Sequence, residues 1–135
     1  MRAGGINWLA VVAAALVFYA VGFVIYGMLI GEEQLAAIMG EDLAAASAQE
    51  AERMPFGFLM PLATALIMAL IFKWGRVENV AAGMRWGAAI AVASAVPSVW
   101  YRWVYGDFPA VMALIDSGHF LLGHIAAGAV LGRWK

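Results

Sequence analysis

The sequence predicts an all-α, polytopic membrane protein with four transmembrane helices in an up-down bundle and a short external helical segment between helices 1 and 2. Composition is the first reason. Of the 135 residues, 65% are hydrophobic and only 13% are charged, whereas a soluble domain carries about 25% charged residues. The second reason is that the apolar residues gather into four runs, and a membrane helix needs about 20 such residues. An ordinary soluble domain is therefore excluded, and residues 1–135 are expected to form a single domain.

Each of the four runs has its own boundary signals. The predicted spans are residues 6–30, 55–72, 80–105 and 109–131. The first is too long for the apolar core of a cleavable signal, so it is expected to be retained. Pro55 suits the first position of a helix because its missing N–H would be unpaired there, and Asn79 suits an N-cap. Pro61 and Pro97 fall inside spans and predict kinks, because each leaves the carbonyl one turn earlier without its helical donor.

The long connection, residues 31–54, is expected to form short external helices. Four apolar residues in it recur at helical spacing, Leu35, Ile38, Met39 and Leu43. Gly40 is the expected break between the helices. Anionic headgroups would repel the acidic side chains of this segment. It is therefore either a solvated cap, a cover on the outer end of the protein or a surface for a partner.

Positive charge predicts the orientation in a bacterial inner membrane. One side collects six Lys and Arg residues, Arg2, Lys73, Arg76, Arg85, Arg133 and Lys135, and the other side has only Arg53 and Arg102. Positively charged loops stay in the cytoplasm, so both termini are expected there. Tryptophans form belts at membrane boundaries, and they fit the same frame. Trp8, Trp74, Trp86 and Trp134 fall at the inner boundary, and Trp100 and Trp103 fall at the outer one.

Small residues predict how the spans pack, because close approach of backbones decides which helix faces meet in lipid. The third span carries Gly83, Gly87, Ala91 and Ala95 at four-residue steps, and the fourth carries Gly128 and Gly132. These two spans are expected to pair antiparallel across the turn at residues 106–108. A stripe that faces another protein is the alternative. On the first span, Tyr19, Phe23 and Tyr26 share one face, which is expected to point into the bundle core.

Asp116 is the main candidate for a functional residue, because an ionisable side chain inside the membrane is costly to bury. Arg102 lies at a similar depth across the turn, so an Arg102–Asp116 ion pair is one interpretation. The other is a proton or ligand site in which Asp116 and His119 act together, with Ser94 or Ser98 beside the Pro97 kink. His119 follows Asp116 by three residues on nearly the same face.

Several chemistries find no support in the sequence. The absence of Cys removes disulfides and thiolate sites, and no metal site is expected. The motifs of zinc proteases, phosphate-binding loops and serine hydrolases do not occur, so no catalytic residue is assigned and an enzyme is not expected. The net charge of −1 without a Lys/Arg run argues against nucleic acid. Both histidines lie on one helix, which argues against a bis-histidine haem, so no cofactor is expected, although a single axial His to a pigment stays open.

Residue patterns along nearly the whole chain resemble one protein family. They are Asn7-Trp8, Gly22 with Tyr26-Gly27, Pro97, the stretch from Leu114 to His119, and the stretch from Gly128 to Trp134. This pattern is similar to that of the bacterial membrane proteins grouped as domain of unknown function 1761, DUF1761. The resemblance implies a four-helix inner-membrane protein and no particular reaction. Asp116 matches the family pattern, whereas His119 stands where the family often has Tyr, and Trp100–Trp103 replaces an Asn-bearing segment.

Two functions of different classes follow as hypotheses. The first is a non-catalytic accessory or assembly subunit of a larger membrane complex, respiratory or photosynthetic, whose partners are lipids and other transmembrane helices. Those helices would belong to further copies of the chain or to the complex. The second is a small proton-coupled transporter or permease with an intramembrane site at Asp116 and His119.

Overall fold

The computed structural model describes residues 2–3 and 5–134. Met1, Gly4 and Lys135, the last of which contributes to the predicted charge asymmetry, lie outside the described residues. In chain order the elements are β1 (Arg2–Ala3), β2 (Ile6–Asn7), α1 (Trp8–Gly22), a π-helical segment (Phe23–Ile30), α2 (Glu32–Met39), α3 (Leu43–Gly57), α4 (Leu59–Trp74), α5 (Val80–Ile90), a second π-helical segment (Ala91–Ala95), α6 (Val96–Tyr105) and α7 (Ala110–Arg133).

Four helices of the described chain are long and apolar enough to cross a membrane. They are called here the first to fourth spans, and they comprise Trp8–Ile30, Ala51–Trp74, Val80–Tyr105 and Ala110–Arg133. The predicted class, an all-α protein with four membrane-spanning helices, is thereby confirmed. The third span has the predicted bounds, and the fourth begins one residue later than predicted and ends two residues later.

The first span begins at Trp8 and not at Ile6, the start that the hydropathy pattern predicts. Ile6 and Asn7 form β2, which pairs antiparallel with β1 in a hairpin of two-residue strands. The Asn7 side chain then accepts a hydrogen bond from the backbone N–H of Ala10 at 3.4 Å, which caps α1. Asn79 caps α5 in the same way at 2.8 Å to Ala82, as the sequence predicted.

The second span differs most from its prediction. Pro55 was expected to open the helix, but it lies inside α3, which begins at Leu43. The reason is upstream, because Asp42 accepts a hydrogen bond from the Ala45 N–H at 3.0 Å and starts a helix in an alanine-rich segment. The helix breaks only between α3 and α4. That break adjoins Gly57, whose carbonyl has no helical donor because Pro61 lacks the N–H.

The fourth span is central to the packing, since α7 packs along α5 on one side and α1 on the other, and α4 packs against α1. Consecutive spans are antiparallel. Along the third and fourth spans, residue 79 lies beside 132, 83 beside 128, and 87 beside 124. The bundle therefore runs in the order second, first, fourth, third span.

Glycines set the distance between the third and fourth spans. A Cβ built on Gly83 would overlap the carbonyl oxygen of Gly128, and one built on Gly87 would overlap that of His124. The reciprocal positions are as tight, because a Cβ on Gly128 would overlap the Gly83 carbonyl and one on Gly132 the Asn79 carbonyl. Ala91 is fully buried and Ala95 is half-buried. The small-residue stripe is thus used inside the bundle, as expected for an antiparallel pair.

The helix α2 packs over the end of the bundle at which the fourth span begins. Leu35, Ile38 and Met39 pack against a buried cluster that contains Val99 and Met112. Leu43, the fourth apolar residue of the predicted pattern, is exposed instead because it opens α3. Gly40 ends α2 in the left-handed conformation, with φ of 71°, so the expected break occurs where the sequence placed it. The helix α2 therefore covers this end of the protein.

Candidate functional site

The Asp116 carboxylate lies between the first and fourth spans and has a close partner. The hydroxyl of Tyr26 donates a hydrogen bond to Asp116 Oδ1 at 2.6 Å. Only 14% of the Asp116 side chain is exposed. A charge-assisted hydrogen bond of this length is among the stronger polar interactions in proteins. The bond therefore ties the two spans together near the end that α2 covers.

His119 joins the same cluster from the next turn of α7. Its Nδ1 lies 3.3 Å from the Tyr26 hydroxyl oxygen, and the two rings meet edge to face at 5.1 Å between centroids. Phe18 contacts the His119 ring in the same manner at 5.4 Å. Gly22 provides the room, because a Cβ at this position would lie 3.0 Å from His119 Nε2. Tyr26, Asp116 and His119 are called the polar cluster below.

Arg102 reaches the polar cluster only at its edge. Its Nη1 is 4.0 Å from Asp116 Oδ2, and 60% of the Arg102 side chain is exposed. The guanidinium lies over the ring of Phe108, with Cζ 3.8 Å from the ring centroid, a cation–π contact. The structure thus brings the predicted ion pair within reach, but Tyr26 is the closer partner of Asp116.

The serines of the predicted site lie away from the cluster. Ser94 and Ser98 are exposed, and their hydroxyls donate to the carbonyls of Ile90 and Ser94, each at 2.7 Å. Ser94 lies in the second π-helical segment, before Pro97, and Ser98 lies in the first turn of α6, directly after Pro97. The kink predicted at Pro97 takes the form of this widened helix. His124 is buried and its Nδ1 lies 2.7 Å from the Phe120 carbonyl oxygen. Its ring contacts Phe18 edge to face, with 5.0 Å between the ring centroids.

Tyr26 is the residue that sequence reasoning did not assign to the site. It was grouped with Tyr19 and Phe23 on a face expected to be core, but Phe23 is 63% exposed. Tyr19 is exposed as well, so this face points out of the bundle. The helix widens to a π-helix from Phe23 onwards, which turns Tyr26 away from that face. The similar depth of Tyr26 and Asp116 in the membrane was the signal that the sequence offered for their contact. Tyr26 precedes the end of the first span by four residues, and Asp116 follows the start of the fourth by six.

The arrangement offers three protonatable groups within hydrogen-bond reach. The Tyr26 hydroxyl has one hydrogen, and it is donated to Asp116. A hydrogen bond between Tyr26 and His119 therefore needs a proton on His119 Nδ1. When both ring nitrogens of His119 carry a proton, the groups form a chain along which a proton can pass from imidazolium through phenol to carboxylate. Among the described residues, no group of three or more His, Asp or Glu side chains is placed to hold a metal ion.

Comparison with known proteins relates the chain to a family without an assigned activity. The model of a family described as "Protein of unknown function (DUF1761)" matches residues 9–132. The matched region includes Tyr26, Arg102, Asp116 and His119. No curated protein and no solved structure gives a significant match.

Proposed function

Because the chain belongs to the DUF1761 family, whose description assigns no function, we propose a role from the geometry. We propose that it is a non-catalytic protein of the bacterial inner membrane that works as a small proton-coupled transporter. The polar cluster is the proposed proton-binding site. The observation that supports this most is the chain of contacts from His119 through Tyr26 to Asp116, at 3.3 Å and 2.6 Å. No cofactor is part of the proposal.

The weak contact with Arg102 is the reason to favour this function over a purely structural ion pair. A carboxylate that serves only to neutralise an arginine is expected to form a short, often bidentate pair. Arg102 instead stays largely exposed, and Asp116 receives its short hydrogen bond from a neutral hydroxyl. Asp116 is therefore not held in a strong ion pair, which supports the proposed proton-binding role.

Proton coupling is tested in liposomes that contain the purified protein and a pH-sensitive dye. A pH gradient is imposed, and amino acids, sugars and organic cations are added in turn. A proton-coupled carrier should dissipate the gradient faster when its solute class is present. Asp116→Asn should abolish the acceleration, because the amide keeps a hydrogen-bond acceptor for Tyr26 but cannot carry a proton.

The matched control is Asp107→Asn, which removes an exposed carboxylate on the turn before α7. It should behave like the wild-type protein. If no solute class accelerates proton movement in the wild-type protein, or if Asp116→Asn retains the acceleration, the transport proposal is wrong.

An accessory subunit of a respiratory or photosynthetic complex is the second candidate, and one surface favours it. The third span presents Ser94, Ser98, Tyr101 and Tyr105 along one exposed face, with Tyr101 64% and Tyr105 74% exposed. Small polar residues on a membrane helix allow another helix to approach closely and share hydrogen bonds. This face could therefore contact a transmembrane helix of a larger complex or of a second copy.

Purification in mild detergent followed by mass spectrometry tests the accessory role. A stoichiometric partner should copurify with the wild-type protein and be lost with Ser98→Leu, which adds bulk to the exposed face. Leu114→Ala, on the exposed side of α7, should keep the partner. If Ser98→Leu retains it, the third span does not form the interface.

A further inference from the structure

The end of the bundle opposite the polar cluster contains a cavity of about 250 Å³ between the first, second and fourth spans. Apolar side chains line its interior, among them Phe72 and Leu131. Lys73, Arg76 and Glu78 add charged groups to the lining. The cavity thus combines an apolar interior with a charged border at the level where the spans end.

Arg76, at this border, has an unfavourable left-handed backbone conformation. Its φ is 50°, the only positive value at a non-glycine residue in the described chain. The turn that ends α4 explains the angle, because the N–H of Val77 donates to the Phe72 carbonyl at 2.9 Å and that of Gly75 to Ile71 at 2.8 Å. This is a Schellman-type helix end, and its left-handed position is usually glycine.

The residue choice at this turn therefore needs an explanation beyond the fold. A glycine is present one position earlier, at Gly75, where φ is −79°, an angle that any residue adopts. A side chain at a strained backbone position suggests a function for that side chain. At position 76 the side chain is a guanidinium at the border of the cavity, where an anion is the ligand it would suit.

We propose that this cavity binds the headgroup of an anionic phospholipid, with Lys73 and Arg76 on the phosphate. The charges of the lining suit such a ligand. Lys73, Arg76 and the Glu78 carboxylate together leave one net positive charge, which a singly charged phosphodiester neutralises. Glu78 then accepts a hydrogen bond from a headgroup hydroxyl, such as that of phosphatidylglycerol. Basic pockets between transmembrane helices are known to bind anionic headgroups.

A lipid suits the cavity better than free phosphate for two reasons. The interior is apolar, which suits the glycerol and upper acyl carbons of a lipid but offers nothing to a small inorganic anion. The cavity also lies at the ends of the spans, beside Trp134, which follows the last helical residue. Tryptophan is typical of the headgroup level. The charge asymmetry of the sequence predicts that this is the cytoplasmic side.

Thermal unfolding in neutral detergent tests the proposal, with phosphatidylglycerol, phosphatidylcholine or inorganic phosphate added. A lipid that binds the folded state raises Tm. Phosphatidylglycerol should raise Tm of the wild-type protein by roughly 5 °C more than phosphatidylcholine does. Inorganic phosphate should have little effect. Equal shifts with phosphate and phosphatidylglycerol would show a free-anion site and overturn the lipid assignment.

Two variants separate binding from folding. Arg76→Gly removes the guanidinium but suits the left-handed turn, so it should fold with a Tm in detergent at least equal to that of the wild-type protein and lose most of the phosphatidylglycerol shift. Arg85→Gln removes a positive charge on exposed α5, outside the cavity, and should keep the shift. The proposal is wrong if Arg76→Gly keeps the full shift, or if Arg85→Gln loses as much as Arg76→Gly.

Discussion

The hydroxyl of Tyr26 donates to the carboxylate of Asp116 at 2.6 Å, although 90 residues separate the two in the chain. The bond connects the first and fourth spans, and Gly22 and His119 make a second contact between the same spans one turn away. The intramembrane carboxylate is therefore positioned mainly by a neutral partner. This relationship determines what substitutions at the cluster should do.

Tyr26→Phe should destabilise the protein while leaving the ring contacts in place. The change removes the donor to Asp116 and leaves the buried carboxylate short of a partner, at a cost of about 1–3 kcal/mol. The free energy of unfolding is measured in mixed micelles titrated with a denaturing detergent. Tyr105→Phe removes an exposed hydroxyl and should have no measurable effect. Equal stability of Tyr26→Phe and wild-type protein would show that the hydrogen bond contributes nothing.

A pair of double-mutant cycles should rank the partners of Asp116. The cycle of Tyr26→Phe with Asp116→Ala, which removes the acceptor, should give a coupling of about 1 kcal/mol or more. The cycle of Arg102→Gln with Asp116→Asn should give a smaller value, below about 1 kcal/mol, because Arg102 is largely exposed and 4.0 Å away. A larger coupling for Arg102 would restore the ion pair that the sequence predicted as the main contact of Asp116.

The glycine contact between the third and fourth spans should tolerate no added side chain. Gly87→Ala places a methyl group against the His124 carbonyl, and overpacking of this kind costs about 1–3 kcal/mol. Gly87→Leu should prevent the two helices from packing. Gly118→Ala is the control, because a Cβ there meets nothing within 4 Å. Thermal unfolding in detergent measures all three, and a Gly87→Ala protein as stable as the control would contradict the observed packing.

The features that could be predicted from the sequence are those fixed by local pattern. Hydropathy located the four spans, Asn79 marked the start of the third span, and the spacing of Gly83 and Gly87 predicted a close helix pair. Pro55 was misjudged because the helix starts at the Asp42 cap and continues past it. The sequence indicated only that Tyr26 and Asp116 lie at similar depths. Their contact depends on the π-helical turn of the first span and on how that span lies against the fourth.

Reporter fusions test the orientation of the bundle, on which the sidedness of both proposed sites depends. The six-to-two asymmetry of Lys and Arg predicts cytoplasmic termini, so a reporter fused after Lys135 should report the cytoplasmic side. A reporter inserted at Gly40, in the exposed turn between α2 and α3, should report the external side. The polar cluster then lies toward the outside and the cavity with Arg76 toward the cytoplasm, where anionic lipid attracts basic segments. A fusion after Lys135 that reports the external side would reverse both assignments and contradict the charge rule for this chain.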